Sequence, residues 1–224
     1  MSNTPLLIAI LRGIHPTEID AVADALTESA IRLIEVPLNS PEAHVSIERL
    51  RRRCSSECVI GAGTVLSTQA VDSVARAGAE FMVSPNVDEA VIRHALQRGL
   101  GVVPGFASAT EALQAYAAGA RLIKLFPAAS YGPSHVRALR SVFPAELQMI
   151  AVGGVGAEAL PAWSGSGVVG IGVGSELYRP GMSAADVRRH AKHLVAAAAA
   201  SLPALDPRWL ELLRPSPAVA STGA

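Results

Sequence analysis

The stretch Leu122-Ile123-Lys124-Leu125-Phe126-Pro127 has the composition of a short strand buried on both faces, because apolar side chains fill it with little alternation. Eight runs of this kind follow one another along the chain. They cover residues 6–11, 33–38, 59–65, 81–84, 101–105, 122–126, 148–152 and 168–173. We therefore predict eight strands of a parallel sheet that is covered by helices.

Helical patterns lie between these predicted strands. Their start signals combine N-cap residues, proline and first-turn acids, and stand at residues 16–18, 40–42, 67–69, 86–89, 108–111 and 132–134. The alternation predicts an α/β fold, a compact (β/α)8 TIM barrel over residues 1–200. An open doubly wound sheet is the competing arrangement, but the loop at residues 12–16 lacks its Gly-rich fingerprint.

The segment at residues 201–224 differs in composition, because it is rich in proline and alanine. Two interpretations fit it. It is a poorly ordered tail, or its apolar residues form a helical turn that docks onto the barrel or a neighbouring subunit. The residues that would dock are Trp209, Leu210, Leu212 and Leu213.

Composition argues against several function classes. The 19 basic and 19 acidic residues cancel, so the chain carries no electrostatic signature of nucleic acid or membrane binding. Cys54 and Cys58 are too few for a disulfide framework, and the six histidines are scattered, so we expect no metal and no cofactor. The N-terminus lacks the pattern of a signal peptide and no apolar run is long enough to span a membrane, so we expect a cytoplasmic protein.

Lys124 is the first candidate for covalent chemistry. The chain has two lysines against seventeen arginines, and Lys124 lies inside an apolar strand whereas Lys192 lies in a basic helical stretch. Burial disfavours the charged amine and lowers its pKa. An ordinary amine, with a pKa of about 10.4, is only about 0.04% neutral at pH 7. A lowered pKa would therefore make Lys124 a much better nucleophile.

Glu35 is the second unusual residue, since it also lies in an apolar strand, where an unpaired carboxylate is costly. It belongs to the second predicted strand and Lys124 to the sixth, and even-numbered strands share interior layers of such a barrel. Their side chains would meet inside the barrel. The pair is either a structural ion pair or a nucleophilic amine beside an acid–base carboxyl group.

Active sites of these barrels form at the C-terminal ends of the strands. Gly153-Gly154 and Gly174-Ser175 follow the last two predicted strands, where bare backbone N–H groups commonly bind phosphate. Pro85 ends the fourth strand and is a further candidate for substrate contact. Gly61-Ala62-Gly63-Thr64 lacks the lysine and remaining glycines of a nucleotide-binding loop.

Six stretches resemble motifs of the KDPG/KHG aldolase family, in the same order: residues 8–13, 34–41, 61–65, 84–86, 123–127 and 151–155. The resemblance covers about residues 5 to 200. It implies a metal-free homotrimeric Schiff-base aldolase that acts on a phosphorylated keto sugar acid. It also implies residue roles: Lys124 as the imine-forming lysine, Glu35 as the proton-transfer carboxylate, Arg12 and Thr64 as substrate contacts, and Gly153, Gly154, Gly174 and Ser175 as the phosphate site.

Within the family, the chain is most similar to the members that act on the galactonate epimer. Gluconate-type members usually carry Thr, Arg and Thr where this chain has Pro37, Asn39 and Val152. The arginine that binds the pyruvate carboxylate is thereby absent, and Thr64 with backbone amides is the expected substitute. Three alternatives stay open: the same chemistry on the gluconate epimer or on 4-hydroxy-2-oxoglutarate, a phosphosugar isomerase that does not use Lys124, and a non-catalytic phosphosugar-binding barrel.

Overall fold

The computed structural model describes residues 5–54 and 58–214. Its strands form one parallel sheet, in the order β5-β4-β3-β2-β1-β9-β8-β7-β6. They are β1 (Leu6–Ile10), β2 (Leu33–Pro37), β3 (Val59–Gly63), β4 (Phe81–Val83), β5 (Gly101–Val103), β6 (Gly105–Phe106), β7 (Leu122–Leu125), β8 (Gln148–Val152) and β9 (Gly170–Val173).

The fifth predicted strand is divided at Pro104 into β5 and β6, and this division closes the barrel. Proline has no backbone N–H and interrupts the ladder. Before it, β5 pairs with β4, and after it, β6 pairs with β7. The backbone N–H of Lys124 donates to the carbonyl of Pro104 over 2.9 Å. The predicted (β/α)8 barrel is therefore confirmed, with β7 as its sixth strand.

Helices alternate with the strands along the chain. Ser67, Asp88 and Ser108 cap three of them through their side chains, as the sequence predicts. The start predicted at residues 132–134 coincides with a break inside α6: the backbone is non-helical at Gly132, where φ is 75°, and two helical stretches join there. The helices are α1 (Ile19–Glu28), α2 (Ala43–Cys54), α3 (Thr68–Arg76), α4 (Glu89–Gln97), α5 (Ala109–Ala117), α6 (Ala128–Arg140), α7 (Leu160–Trp163), α8 (Ala184–Ser201) and α9 (Pro207–Leu213).

Two apolar layers flank the sheet. Leu7 and Ala9 of β1 face the layer between the strands and the helices. Leu6 and Ile8 face the barrel interior, which is filled by apolar side chains from most of the strands. The Phe81 ring takes so much of that space that a Cβ on Gly61 would lie 2.4 Å from it. A filled interior leaves room for a site only at the mouth of the barrel.

Helix α9 packs against the base of the barrel, opposite the C-terminal ends of the strands. Leu213 is fully buried within the interior cluster. Arg214 Nε pairs with Glu80 Oε1 over 2.7 Å, and Glu80 also pairs with Arg51. Residues 207–213 thus adopt the docked helix rather than the poorly ordered alternative. Residues 215–224 of the predicted tail lie outside the described part of the chain.

Candidate active site

A cleft of about 150 Å³ lies at the C-terminal ends of the strands, and it brings together every site residue predicted from the sequence. These are Arg12, Glu35, Thr64, Pro85, Lys124, Gly153, Gly154, Gly174 and Ser175. They come from seven different strands or the loops that follow them. The closed barrel therefore assembles one site from residues that are far apart in the sequence.

Lys124 enters the cleft from β7 and is 7% exposed. Burial lowers the pKa of its ammonium group; the nearby Glu35 charge opposes this effect, and the Arg12 charge adds to it. Its Nζ atom lies 5.0 Å from the centre of the Phe126 ring. The face of an aromatic ring at this distance attracts the ammonium form, whereas burial, the largest effect on the Lys124 pKa, favours the neutral, nucleophilic amine.

Glu35 enters from β2 and is 3% exposed. Burial raises the pKa of its carboxyl group, while the charges of Lys124 and Arg12 lower it by smaller amounts. The carboxyl group occupies the space above Gly63: a Cβ there would lie 1.7 Å from Glu35 Oε1. Glycine at position 63 thus leaves room for the Glu35 side chain.

Burial has the largest effect on both Lys124 and Glu35, and it drives each group toward its neutral form. Mutual attraction, which would hold them charged, is the smaller effect for both. This arrangement suits an amine that attacks a carbonyl group and a carboxyl group that gives and takes protons.

Arg12 supplies a permanent positive charge at the mouth of the cleft. It follows β1, and its Nη1 donates a 2.6 Å hydrogen bond to Oδ1 of Asn39, which follows β2. The same two loops are joined a second time, where the backbone N–H of Gly13 donates to Ser40 Oγ over 2.9 Å. The guanidinium is thus held by contacts from the neighbouring loop.

Thr64 has an unusual backbone conformation at the end of β3. Its φ is 58°, in the left-handed region that β-branched residues rarely adopt. Such conformations cost about 1–3 kcal/mol and cluster at ligand-binding positions, where surrounding contacts enforce them. The conformation is consistent with a residue held in place to contact a ligand.

The turns after β8 and β9 offer bare backbone to the cleft. Gly153 and Gly154 have φ values of 96° and 72°, which glycine adopts without strain. A Cβ added at Gly174 would have Ile10 Cβ, 4.0 Å away, as its nearest neighbour, so it would protrude into the open space of the cleft. Glycine at this position therefore keeps the cleft open. Ser175 Oγ donates to Glu176 Oε2 over 3.1 Å. These turns have the composition of an anion site, with one acidic neighbour.

Sequence reasoning missed four residues that line the cleft: Ile10, Phe126, Val152 and Glu176. Phe126 and Val152 stand in stretches that carried the family resemblance, so their position at strand ends was an available signal. Ile10 also stands in one of these stretches, but within β1 it looks like any other buried strand residue. Glu176 directly follows a predicted phosphate-binding residue, where an acidic side chain is not expected.

A larger groove of about 410 Å³ lies beside the cleft and shares Gly154 and Glu176 with it. His193 in this groove pairs with Glu158 over 3.1 Å. Across residues 5–54 and 58–214, no three His, Cys, Asp or Glu side chains gather in a way that could hold a metal ion. Among the helices described in this structure, none has the length and hydropathy needed to cross a membrane.

A closed parallel barrel with a buried lysine and a buried glutamate at its mouth defines a class of protein suited to carbonyl chemistry. The family model described as KDPG and KHG aldolase matches residues 2–192. The chain therefore belongs to the KDPG and KHG aldolase family, and aldolases of this kind are carbon–carbon lyases.

Individual relatives agree with this assignment. A probable 2-dehydro-3-deoxy-6-phosphogalactonate aldolase of Rhizobium meliloti (strain 1021) is 48% identical over 85% of this chain and 90% of the relative. The 2-dehydro-3-deoxy-6-phosphogalactonate aldolase of Escherichia coli (strain K12) is 45% identical over 79% of this chain and 86% of the relative. A solved native KDPGal structure superimposes with a TM-score of 0.85 at 42% identity, over 87% of this chain and 95% of that one.

Proposed function

We propose that this chain is a class I aldolase that cleaves 2-dehydro-3-deoxy-6-phosphogalactonate to pyruvate and D-glyceraldehyde 3-phosphate through an imine on Lys124. One observation carries the chemistry: Lys124 and Glu35 line the same cleft, and burial moves the pKa of each toward neutrality. The names of two relatives that are 48% and 45% identical support the choice of substrate.

In the first half of the reaction, neutral Lys124 attacks the C2 ketone of the substrate. Glu35 protonates the carbinolamine oxygen directly or through a water molecule, and water leaves. The product is a protonated imine between Nζ and C2. Its positive nitrogen can accept the electron pair of the C3–C4 bond, so this step needs no metal ion.

In the second half, the Glu35 carboxylate takes the proton of the C4 hydroxyl group, again directly or through water. The C4–O electrons form the aldehyde, the C3–C4 bond breaks, and its electrons pass into the imine to give an enamine. Glyceraldehyde 3-phosphate leaves. The enamine then takes a proton at C3, and water releases pyruvate and restores free Lys124.

The remaining cleft residues would bind the two charged ends of the substrate. The backbone N–H groups near Gly153, Gly154 and Gly174, with the Ser175 hydroxyl, are the proposed phosphate contacts. Arg12, Thr64 and Pro85 are the proposed contacts around the reacting end. Binding the remote phosphate would position C2 against Lys124 and lower the entropic cost of reaction.

Pyruvate release tests the proposal. The purified protein should release pyruvate from the galactonate-derived substrate in the presence of EDTA, and faster than from its gluconate epimer or from 4-hydroxy-2-oxoglutarate. Lys124→Met should abolish release, whereas Lys192→Met, the matched control, should not. Preference for the gluconate epimer would overturn the substrate assignment but keep the chemistry. Activity in Lys124→Met would overturn the chemistry.

We also propose a homotrimer in the cytoplasm, on the family resemblance. Light scattering coupled to size-exclusion chromatography should give about three times the chain mass of 23.1 kDa. A monomeric mass at micromolar concentration would contradict the trimer. Cell fractionation tests the location, and activity in the membrane or secreted fraction would contradict it.

A further inference from the structure

The position of the Arg12 guanidinium depends on a hydrogen bond that the proposed chemistry does not use. Arg12 Nη1 donates to Asn39 Oδ1 over 2.6 Å. Arg12 belongs to the loop after β1 and Asn39 to the turn after β2, so the bond spans two adjacent strand ends. Both side chains are exposed at the mouth of the cleft. A long, exposed arginine would otherwise sample many rotamers.

Asn39 is itself fixed in place. The backbone N–H of Ser40 donates to the carbonyl of Pro37 over 2.9 Å, which closes a tight turn around Asn39. Ser40 is buried, and its Oγ accepts the backbone N–H of Gly13 over 2.9 Å. The acceptor for Arg12 therefore stands on a turn that is anchored to the arginine's own loop.

The bound guanidinium keeps its remaining donors for a ligand. Arginine has five N–H groups in a planar fork, and Asn39 uses one of them at Nη1. The edge formed by Nε and Nη2 has the spacing for a carboxylate with two oxygens. Arg12 lines the cleft together with Lys124 and Glu35, and its charge lowers the pKa of both. Its charge therefore acts at the reacting end of the cleft.

We propose that Asn39 is a positioning residue, which holds Arg12 so that its guanidinium receives the carboxylate of the keto acid bound at Lys124. The inference rests on the proposed function, and it names the carboxylate receptor of that site. The carboxylate carbon is bonded directly to C2, the atom that Lys124 attacks. Its receptor must consequently lie close to Lys124, as Arg12 does.

Borohydride trapping with pyruvate tests this inference, because pyruvate carries the keto acid and no phosphate. The trapping rate is measured over a range of pyruvate concentrations. Asn39→Leu keeps the size of the side chain and removes the acceptor. It should raise the half-saturating pyruvate concentration by roughly fivefold to tenfold, which corresponds to the typical net contribution of one hydrogen bond. The maximal trapping rate should stay within about twofold of wild type, since the acceptor touches no reacting atom.

A double-mutant cycle separates positioning from general loosening. If Asn39 acts through Arg12, Asn39→Leu should have no further effect on pyruvate affinity in an Arg12→Ala background. Ser40→Ala is the matched control: it cuts the second bond between the same loops and leaves Arg12 with its acceptor. Because it loosens the turn but keeps the acceptor, it should lower the thermal midpoint and raise the half-saturating pyruvate concentration less than Asn39→Leu does.

Three results would overturn the inference: unchanged pyruvate affinity in Asn39→Leu, a full additional effect in the Arg12→Ala background, or an equal effect of Ser40→Ala. A wild-type protein that pyruvate and borohydride fail to modify would overturn the proposed function and this inference with it. The other three results can be obtained only if the wild-type protein forms the trapped pyruvate adduct. The failure of the proposed function and the failure of this inference are therefore distinguishable.

Discussion

Replacing Gly63 with alanine should damage catalysis by displacing Glu35. The added Cβ would lie 1.7 Å from Glu35 Oε1 and 2.6 Å from its carboxyl carbon, far inside van der Waals contact. Glu35 is 3% exposed, so the crowded surroundings leave it few alternative positions. A misplacement of about 1 Å can cost a hundredfold in rate, and loss of a general acid–base group about 10²–10⁴-fold. We expect kcat to fall at least about a hundredfold.

Gly61→Ala is the matched control, because it makes the same substitution two residues earlier, on the same face of β3. Its Cβ would meet the Phe81 ring at 2.4 Å, inside the barrel and away from the carboxyl group. Both variants overpack the interior and should lose roughly 1–3 kcal/mol of unfolding free energy. Only Gly63→Ala should lose kcat in the pyruvate-release assay.

Urea denaturation measured on both variants shows whether each one is folded under the assay conditions. A kcat of Gly63→Ala within about threefold of that of Gly61→Ala, at equal destabilisation, would contradict this prediction. It would mean that the space above Gly63 does not determine the position of the Glu35 carboxyl group.

Three further outcomes follow from the same contacts. The rate of pyruvate trapping should rise with pH as Lys124 loses its proton, with a midpoint below pH 10.5. Arg12→Ala should move that midpoint to higher pH, because the Arg12 charge lowers the Lys124 pKa. A shift of the midpoint to lower pH contradicts this prediction. Lys124→Met should raise the thermal midpoint of unfolding at neutral pH. Because the pKa of Lys124 is lowered in the folded protein, wild type has its full stability only above pH 10.5 and loses stability as the pH falls through the folded pKa. A lower thermal midpoint in Lys124→Met contradicts this prediction. Leu213→Ala should cost about 2–5 kcal/mol of unfolding free energy, measured by urea denaturation, while kcat stays unchanged. Glu211→Ala, on the exposed face of the same helix, should cost little. Equal losses in the two variants would mean that α9 does not seal the base of the barrel.

The strands and the cleft could be predicted because their signals are local. Unalternating apolar runs mark strands that are buried on both faces, here by helices outside the barrel and by side chains inside it. A lysine or glutamate inside such a run stands out by its cost of burial. The C-terminal ends of barrel strands converge, so residues that follow the strands must meet. Lys124, Glu35 and the glycine turns were therefore visible without any structure.

Contacts between distant parts of the chain were not visible. The sequence shows that residue 63 is glycine, but only the fold shows that the Glu35 carboxyl group fills the space above it. The bond between Arg12 and Asn39 likewise depends on the pairing of β1 with β2. For residues 207–213, the sequence left a docked helix and a poorly ordered tail open, because docking depends on the shape of the barrel base.

The proposed function depends on an imine between Lys124 and the substrate. The test is to treat wild-type protein with pyruvate and borohydride, digest it and sequence the peptides by mass spectrometry. We expect one reduced adduct per chain on Lys124, and no adduct on Lys124 when pyruvate is omitted. An adduct on Lys192 instead, or an unmodified protein under conditions in which it releases pyruvate from its substrate, would show that Lys124 forms no such imine.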